Sequence, residues 1–153
     1  MSELPQRRLK VLFLCTGNSC RSQMAEGWTR HLKSDSIEPY SAGTVSHGLN
    51  PHAVKVMAEV GVDISRHQSK TLKDVMHVPF DFVITVCADA DANCPVFPGK
   101  TVKLHRGFDD PPRLAKSAAN EAEVLDIYRR VRDEIRAFVE ILPEWLRLQN
   151  KSM

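Results

Sequence analysis

Two spacings of apolar residues alternate along the chain. Residues 10–14 and 80–87 are nearly continuous runs of β-branched and other apolar side chains, too short for helices, and read as buried strands. Residues 37–41, closed by Gly43, and residues 101–104 read as weaker strands. Between the strands the spacing changes. Residues 21–32 hold the good helix formers Ala25 and Glu26. Pro51 suits the first turn of a helix whose stop signal is Gly61 and whose stripe is Ala53, Val54, Met57, Ala58 and Val60. From Ala119 onward Val124, Ile127, Val131, Ile135, Phe138 and Leu142 recur at helical spacing, and Pro143 is expected to break that helix. Residues 107–112, GFDDPP, are expected to be loop. The alternation predicts an α/β fold: one domain over residues 1–153, with a central parallel sheet covered by helices on both faces. Ligands of such sheets sit beyond the carboxyl ends of the strands, where Cys15 and Cys87 both fall.

Composition narrows the class. A chain of 153 residues with 42% apolar content can bury one core and is not disordered. A net charge of +2, without basic runs interleaved with aromatics, offers nothing to nucleic acid. The longest early apolar run, residues 11–15, is too short for a membrane span or a signal peptide. The expectation is a cytoplasmic protein with no membrane partner, and by default a monomer. In that compartment four cysteines are free, metal-bound or redox-active rather than structural disulfides.

Two of them lie in CTGNSCRS, residues 15–22, directly after the first strand. A strand–loop–helix start presents unpaired backbone N–H groups and a positive dipole end, and so binds an anion. Gly17 and Asn18 tolerate the backbone that turns successive N–H groups inward as a nest with Thr16, Ser19 and Cys20. Arg21 adds a planar fork for two oxygens of a tetrahedral oxyanion. A thiol at the base of that nest, Cys15, is expected to ionise easily and to act as a nucleophile, with Ser22 donating to the thiolate. A disulfide between Cys15 and Cys20 would strain a tight loop, and zinc pairs favour closer spacing than the gaps of four and six residues here. No metal is expected. Cys20 reads as a small buried filler whose side chain points away from the anion.

The pattern C-x5-R-S after an amino-terminal strand resembles the low-molecular-weight tyrosine phosphatases. The longer string LCTGNSCRSQMAEGW is more similar to the thioredoxin-coupled arsenate reductases built on the same fold. YSAGTVSHGLNPHAV, VCADADANCP and HRGFDDPP extend that resemblance over residues 11–135. It implies a low-molecular-weight phosphatase-like fold that takes arsenate, releases arsenite and uses thioredoxin or another thiol reductant, without a cofactor. Some phosphatase activity would remain.

Cys87 and Cys94 are seven positions apart. On a helix that is about 10 Å along the axis, whereas a disulfide needs Cα atoms within about 7 Å. A bond between them therefore requires the segment to unwind, and Asp89, Asp91, Asn93 and Pro95 make a weak helix. The residues alone leave this pair open between buried fillers and a redox relay; the resemblance implies the relay, Cys15 to Cys87 to Cys94. Expulsion of an oxygen from the anion needs an acid. FDDPP offers Asp109 and Asp110, and similarity to the family's Asp-Pro motif assigns the role to Asp110. The tyrosine that tyrosine phosphatases carry just after Asp-Pro is absent, since Pro112 follows Pro111. Related reductases have Trp where Arg106 stands. The resemblance also implies that His67 props up Asn18, and that Asn18, Glu26 and Ser41 match three ligands of a potassium ion found in some relatives. At the fourth ligand position stands Lys70, whose ammonium could replace the ion by reaching Glu26 or Asn18.

Overall fold

The computed structural model describes residues 7–97 and 99–151; the remainder of the 1–153 span lies outside the described residues. Four strands, β1 (Leu9–Cys15), β2 (Ile37–Gly43), β3 (Phe82–Thr85) and β4 (Val102–His105), form one parallel sheet in the order β2-β1-β3-β4. Seven helices complete the described chain: α1 (Arg21–Lys33), α2 (Pro51–Glu59), α3 (Leu72–Val75), α4 (Ala88–Ala92), α5 (Pro111–Ala115), α6 (Glu121–Glu140) and α7 (Leu142–Lys151). None is long and apolar enough to cross a membrane.

Val11 to Cys15 are all buried, so both faces of β1 are covered, as its apolar run requires. At the edge, β4 alternates half-buried with exposed residues and so departs from the expectation that every strand is shielded from water. The chain leaves β1 for β2 on one side and returns to β3 on the other. The carboxyl ends of β1 and β3 therefore flank the crevice where the strand order reverses. Cys15 ends β1, and Cys87 lies two residues past β3.

Three elements differ from the sequence expectation. Pro111 and Pro112 open α5 instead of lying in a loop, because the first turn of a helix needs no donor from their nitrogens. For the same reason Pro143 does not simply end the preceding helix. A cap at Ile141 ends α6, and Pro143 sits in the first turn of α7. The short α3 went unread although Thr71 and Asp74 form its capping box, each bonding the other's backbone.

Packing fixes the crevice. Trp28 Nε1 donates to Arg132 O at 3.1 Å, tying α1 to α6, and Arg132 reaches Val56 O of α2 at 3.0 Å. The segment after β2 runs along the loop after β1: Thr44 N bonds Cys15 O, Val45 N bonds Thr16 O, and His47 N bonds Gly17 O, at 3.2, 3.0 and 2.9 Å. At Gly43 the two backbones come so close that a Cβ would lie 2.5 Å from Val45 O, 2.6 Å from Thr16 O and 2.7 Å from Asn18 N. None of these is a side-chain end that could swing away. Gly43→Ala is expected to lower unfolding stability by about 2–3 kcal/mol in urea denaturation and to depress anion binding with it. A stability loss below about 0.5 kcal/mol would mean that the loop yields.

Candidate active site

The loop from Thr16 to Cys20 folds around Asn18, which among the described residues is the one non-glycine in the left-handed region, at φ 48°. Asparagine tolerates that backbone better than most residues, but something must hold it there. Its buried side chain does so at both ends. Oδ1 accepts from Lys70 N at 2.7 Å and from Gln23 Nε2 at 2.9 Å, and Nδ2 donates to Ser22 Oγ at 2.9 Å. With its lone pair facing Asn18, the Ser22 hydroxyl is left to donate to Cys15 Sγ, 2.8 Å away. The turn of the loop and the environment of the sulfur are thus one hydrogen-bonded unit.

That unit extends outward through a residue the sequence reading missed. Fully buried Gln23 aims Nε2 at Asn18 O, Asn18 Oδ1 and Gln68 O, and its Oε1 lies 2.9 Å from His67 Nδ1. His67 therefore acts on Asn18 through Gln23 rather than directly. Because Gln23 Oε1 can only accept, Nδ1 carries the proton; Nε2 faces Arg30 at 3.4 Å. Burial, with Arg30 and Lys70 nearby, holds the imidazole below its ordinary range, while Glu26 opposes that shift.

Lys70 is placed differently from the expectation. Its ammonium bonds Gln68 O at 2.8 Å and reaches neither Glu26 nor Asn18; its backbone N–H is the group that serves Asn18. The cation beside Glu26 is the Arg30 guanidinium, at 2.8 Å, while Ser41 donates to the other carboxylate oxygen at 2.5 Å. Arg30 is one turn from Glu26 on α1, where a pair four residues apart forms readily.

Above the loop lies a pocket of about 490 Å³ lined by Cys15, Thr16, Gly17, Ser19, Cys20, Arg21, His47, Asn50, Asp89, Asp110 and Pro112. His47, Asn50 and Asp89 were not foreseen. His47 covers Gly17, where a Cβ would meet Nδ1 at 2.5 Å. Asn50 caps α2 through His52 N and Ala53 N and donates to Tyr128 OH, which pins the far wall. Cys20 faces this pocket rather than away from it, yet it is buried, and burial together with nearby Cys15 pushes its thiol far above the ordinary range. It is a neutral wall, not a nucleophile.

Arg21 leans across the opening. One nitrogen donates to Phe108 O at 2.9 Å and another lies 3.7 Å from Asp110 Oδ1. Asp109 turns away to Arg130 of α6 at 3.1 Å, so of the two aspartates only Asp110 faces the anion site. The acid loop is braced from outside. The Arg106 guanidinium lies 4.4 Å over the Phe108 ring, and Phe108 packs edge-on against Phe138 at 5.9 Å. Arg106 thus supplies a flat partner for Phe108 by cation–π stacking.

A second thiol adjoins the site. Thr16 Oγ1 lies 3.4 Å from Cys87 Sγ and donates to Asp89 Oδ2 at 3.0 Å. Cys87 caps α4, its sulfur accepting from Ala90 N at 3.4 Å. Cys94 lies just past α4, half-buried, and no cysteine is bridged. The arrangement joins a buried thiol, a loop of converging amides and a carboxyl group, with a second sulfur, Cys87, against Thr16 and a third, Cys94, just past a short helix.

Comparison with known proteins gives this site a context. The family described as low molecular weight phosphotyrosine protein phosphatase matches residues 10–151. Arsenate reductase 1 of Staphylococcus epidermidis is 49% identical over 130 residues, 85% of this chain and 92% of that one. An arsenate reductase solved in the oxidized state superposes with a TM-score of 0.71 at 31% identity, covering 86% of this chain and 93% of the other. A thioredoxin-dependent arsenate reductase of Corynebacterium glutamicum gives 0.67 at 27%, over 95% of this chain and 65% of that one.

His67 carries a pH signature. Its folded-state affinity for a proton is depressed, so as pH falls through about 6.5 the unfolded chain binds a proton first. The stability it contributes is present above that value and is lost as pH falls further. Urea midpoints at pH 7 and pH 5 are expected to differ clearly in the unmodified protein and less in His67→Gln, whose amide can still donate to Gln23. Equal differences would remove His67 from the buried network.

Proposed function

The chain belongs to the low molecular weight phosphotyrosine protein phosphatase family, in its arsenate reductase branch, and from that membership we propose that it reduces arsenate to arsenite through a relay of Cys15, Cys87 and Cys94. The observation that carries this reading is the 3.4 Å approach of Cys87 to Thr16, which sets a second sulfur beside the residue next to the nucleophile. Ester hydrolysis needs one thiol and water; moving two electrons needs two thiols.

The cradle amides, Arg21 and the nest at Asn18 hold the anion, and the Cys15 thiolate attacks arsenic. Asp110 protonates the departing oxygen, which leaves as water, and a sulfur–arsenic(V) bond remains. Cys87 then attacks the Cys15 sulfur. The sulfur–sulfur bond forms, the sulfur–arsenic pair passes to arsenic, and arsenite departs. Cys94 attacks Cys87, Cys15 leaves as a thiolate, and the resulting Cys87–Cys94 disulfide is reduced by thioredoxin or a similar dithiol. The chemistry suits a reducing cytoplasm and needs no cofactor and no second copy of the chain.

Substrate preference follows from the walls. Apart from the His47 imidazole no aromatic ring lines the pocket, and Asp89 and Asp110 stand among its walls. A phosphorylated aromatic side chain finds no aromatic partner and little apolar wall beyond Pro112 there, while a small hydrated anion does not need one. The same loop can still hydrolyse a phosphate ester slowly.

The test is arsenate-dependent NADPH oxidation coupled through thioredoxin and its reductase. The unmodified protein is expected to turn over, and Cys15→Ser to give none. Asp110→Asn is expected to fall by about 10²–10⁴-fold, and Cys20→Ser to keep most of the rate. Reductant-independent hydrolysis of p-nitrophenyl phosphate faster than arsenate turnover would instead favour a phosphatase.

A further inference from the structure

The relay requires α4 to unwind, and the structure holds α4 in place by more than its own weak helix. Asp91, the last residue but one of α4, accepts from Thr85 Oγ1 at 3.1 Å. Thr85 is the buried last residue of β3, and its hydroxyl also lies 2.8 Å from His105 Nδ1 at the end of β4. A carboxylate and a carbonyl only accept, so the Thr85 hydroxyl donates to Asp91 Oδ1, with Leu104 O at 3.3 Å as a second acceptor of the same proton, and His105 Nδ1–H donates to Thr85. Thr85 thus holds the aspartate between Cys87 and Cys94 directly, and His105, 3.9 Å from Asp91, holds Thr85. None of the three residues lines the oxyanion pocket.

We propose, resting on the thiol-relay reading, that Thr85 and His105 form with Asp91 a clasp that keeps Cys94 away from Cys87 until Cys87 has attacked, so that they are positioning residues for the second thiol exchange. While the clasp is shut, α4 stands between Cys87 at its N-cap and Cys94 beyond its C-cap Asn93, and no bridge joins the two sulfurs. Burial and Asp91 also push the Cys94 thiol up, so the folded segment keeps it a poor nucleophile. When Cys94 displaces Cys15 from the Cys15–Cys87 bond, one disulfide is exchanged for another with no net redox change, and the sole structural requirement is that α4 lets go.

Two readouts test this, each with Thr85→Val, which keeps the shape without the hydroxyl, and with His105→Ala on a different strand. Thr85→Ser, which keeps the hydroxyl, is the rescue. In the reduced protein, hydrogen exchange of the amides of residues 89–93 is expected to quicken about tenfold in Thr85→Val, the scale of a lost hydrogen bond to a charged group. His105→Ala should quicken it less, and Thr85→Ser should match the unmodified protein. After one arsenate turnover without reductant, alkylation and peptide mapping should show the Cys15–Cys87 bond decaying to Cys87–Cys94 faster by a similar factor, with the arsenite burst unchanged. Unaltered amide exchange in both Thr85→Val and His105→Ala would overturn the clasp whatever the chemistry. Altered exchange with an unchanged disulfide lifetime would overturn its gating role. If the unmodified protein never forms a Cys15–Cys87 bond, the relay reading fails and the gate with it.

Discussion

The site depends on one buried amide. Asn18 adopts a left-handed backbone where the loop amides converge, and its side chain is what makes that conformation stable at a position not filled by glycine. The three hydrogen bonds of that side chain reach α1 through Ser22 and Gln23, and the chain after β2 through Lys70. The hydrogen bond that Ser22 gives to Cys15 exists because Asn18 has already claimed the other side of the hydroxyl. Nucleophile and cradle are therefore not separate devices, and a loosened loop would also misorient the sulfur. The cost of burying so many polar groups is met by pairing each of them, which explains why the first two turns of α1, from Ser22 to Thr29, are buried despite their polar residues.

The second dependence is topological. The reversal of strand order puts the ends of β1 and β3 side by side, so thiols 72 positions apart in sequence share one crevice. The acid arrives from the other side, on a segment braced by Arg106, Phe108 and Phe138 against α6. Arg21 bridges the two halves by bonding Phe108 O, so the residue proposed to grip the anion also ties the segment that carries Asp110 to the loop after β1. Short helices at the rim, α4 and α5, are the parts built with few residues and many polar ends, where local opening costs least.

Much of this was legible in the chain. Four strands, the two long helices and the oxyanion loop follow from spacing and turn chemistry, because each is decided within a dozen residues. The choice of Asp110 over Asp109 came from resemblance; the fold adds the physical reason, the capture of Asp109 by Arg130 on α6. What stayed illegible depends on distant partners. Gln23 reads as an ordinary polar helix residue until His67, 44 positions away, is known to lie against it. Lys70 serves through its backbone, to which side-chain identity is no guide. The prolines at 111, 112 and 143 mislead because a breaker inside a helix is an acceptable starter of the next one.

The central claim is that two thiols reduce the anion and the third only clears the product disulfide. Single-turnover stoichiometry in Cys94→Ser, mixed with excess arsenate without thioredoxin, tests it most directly. The account predicts one arsenite per chain, with a Cys15–Cys87 disulfide accumulating in equal amount and no further turnover. Arsenite well beyond one equivalent, or none with Cys15 and Cys87 both still free, would contradict it.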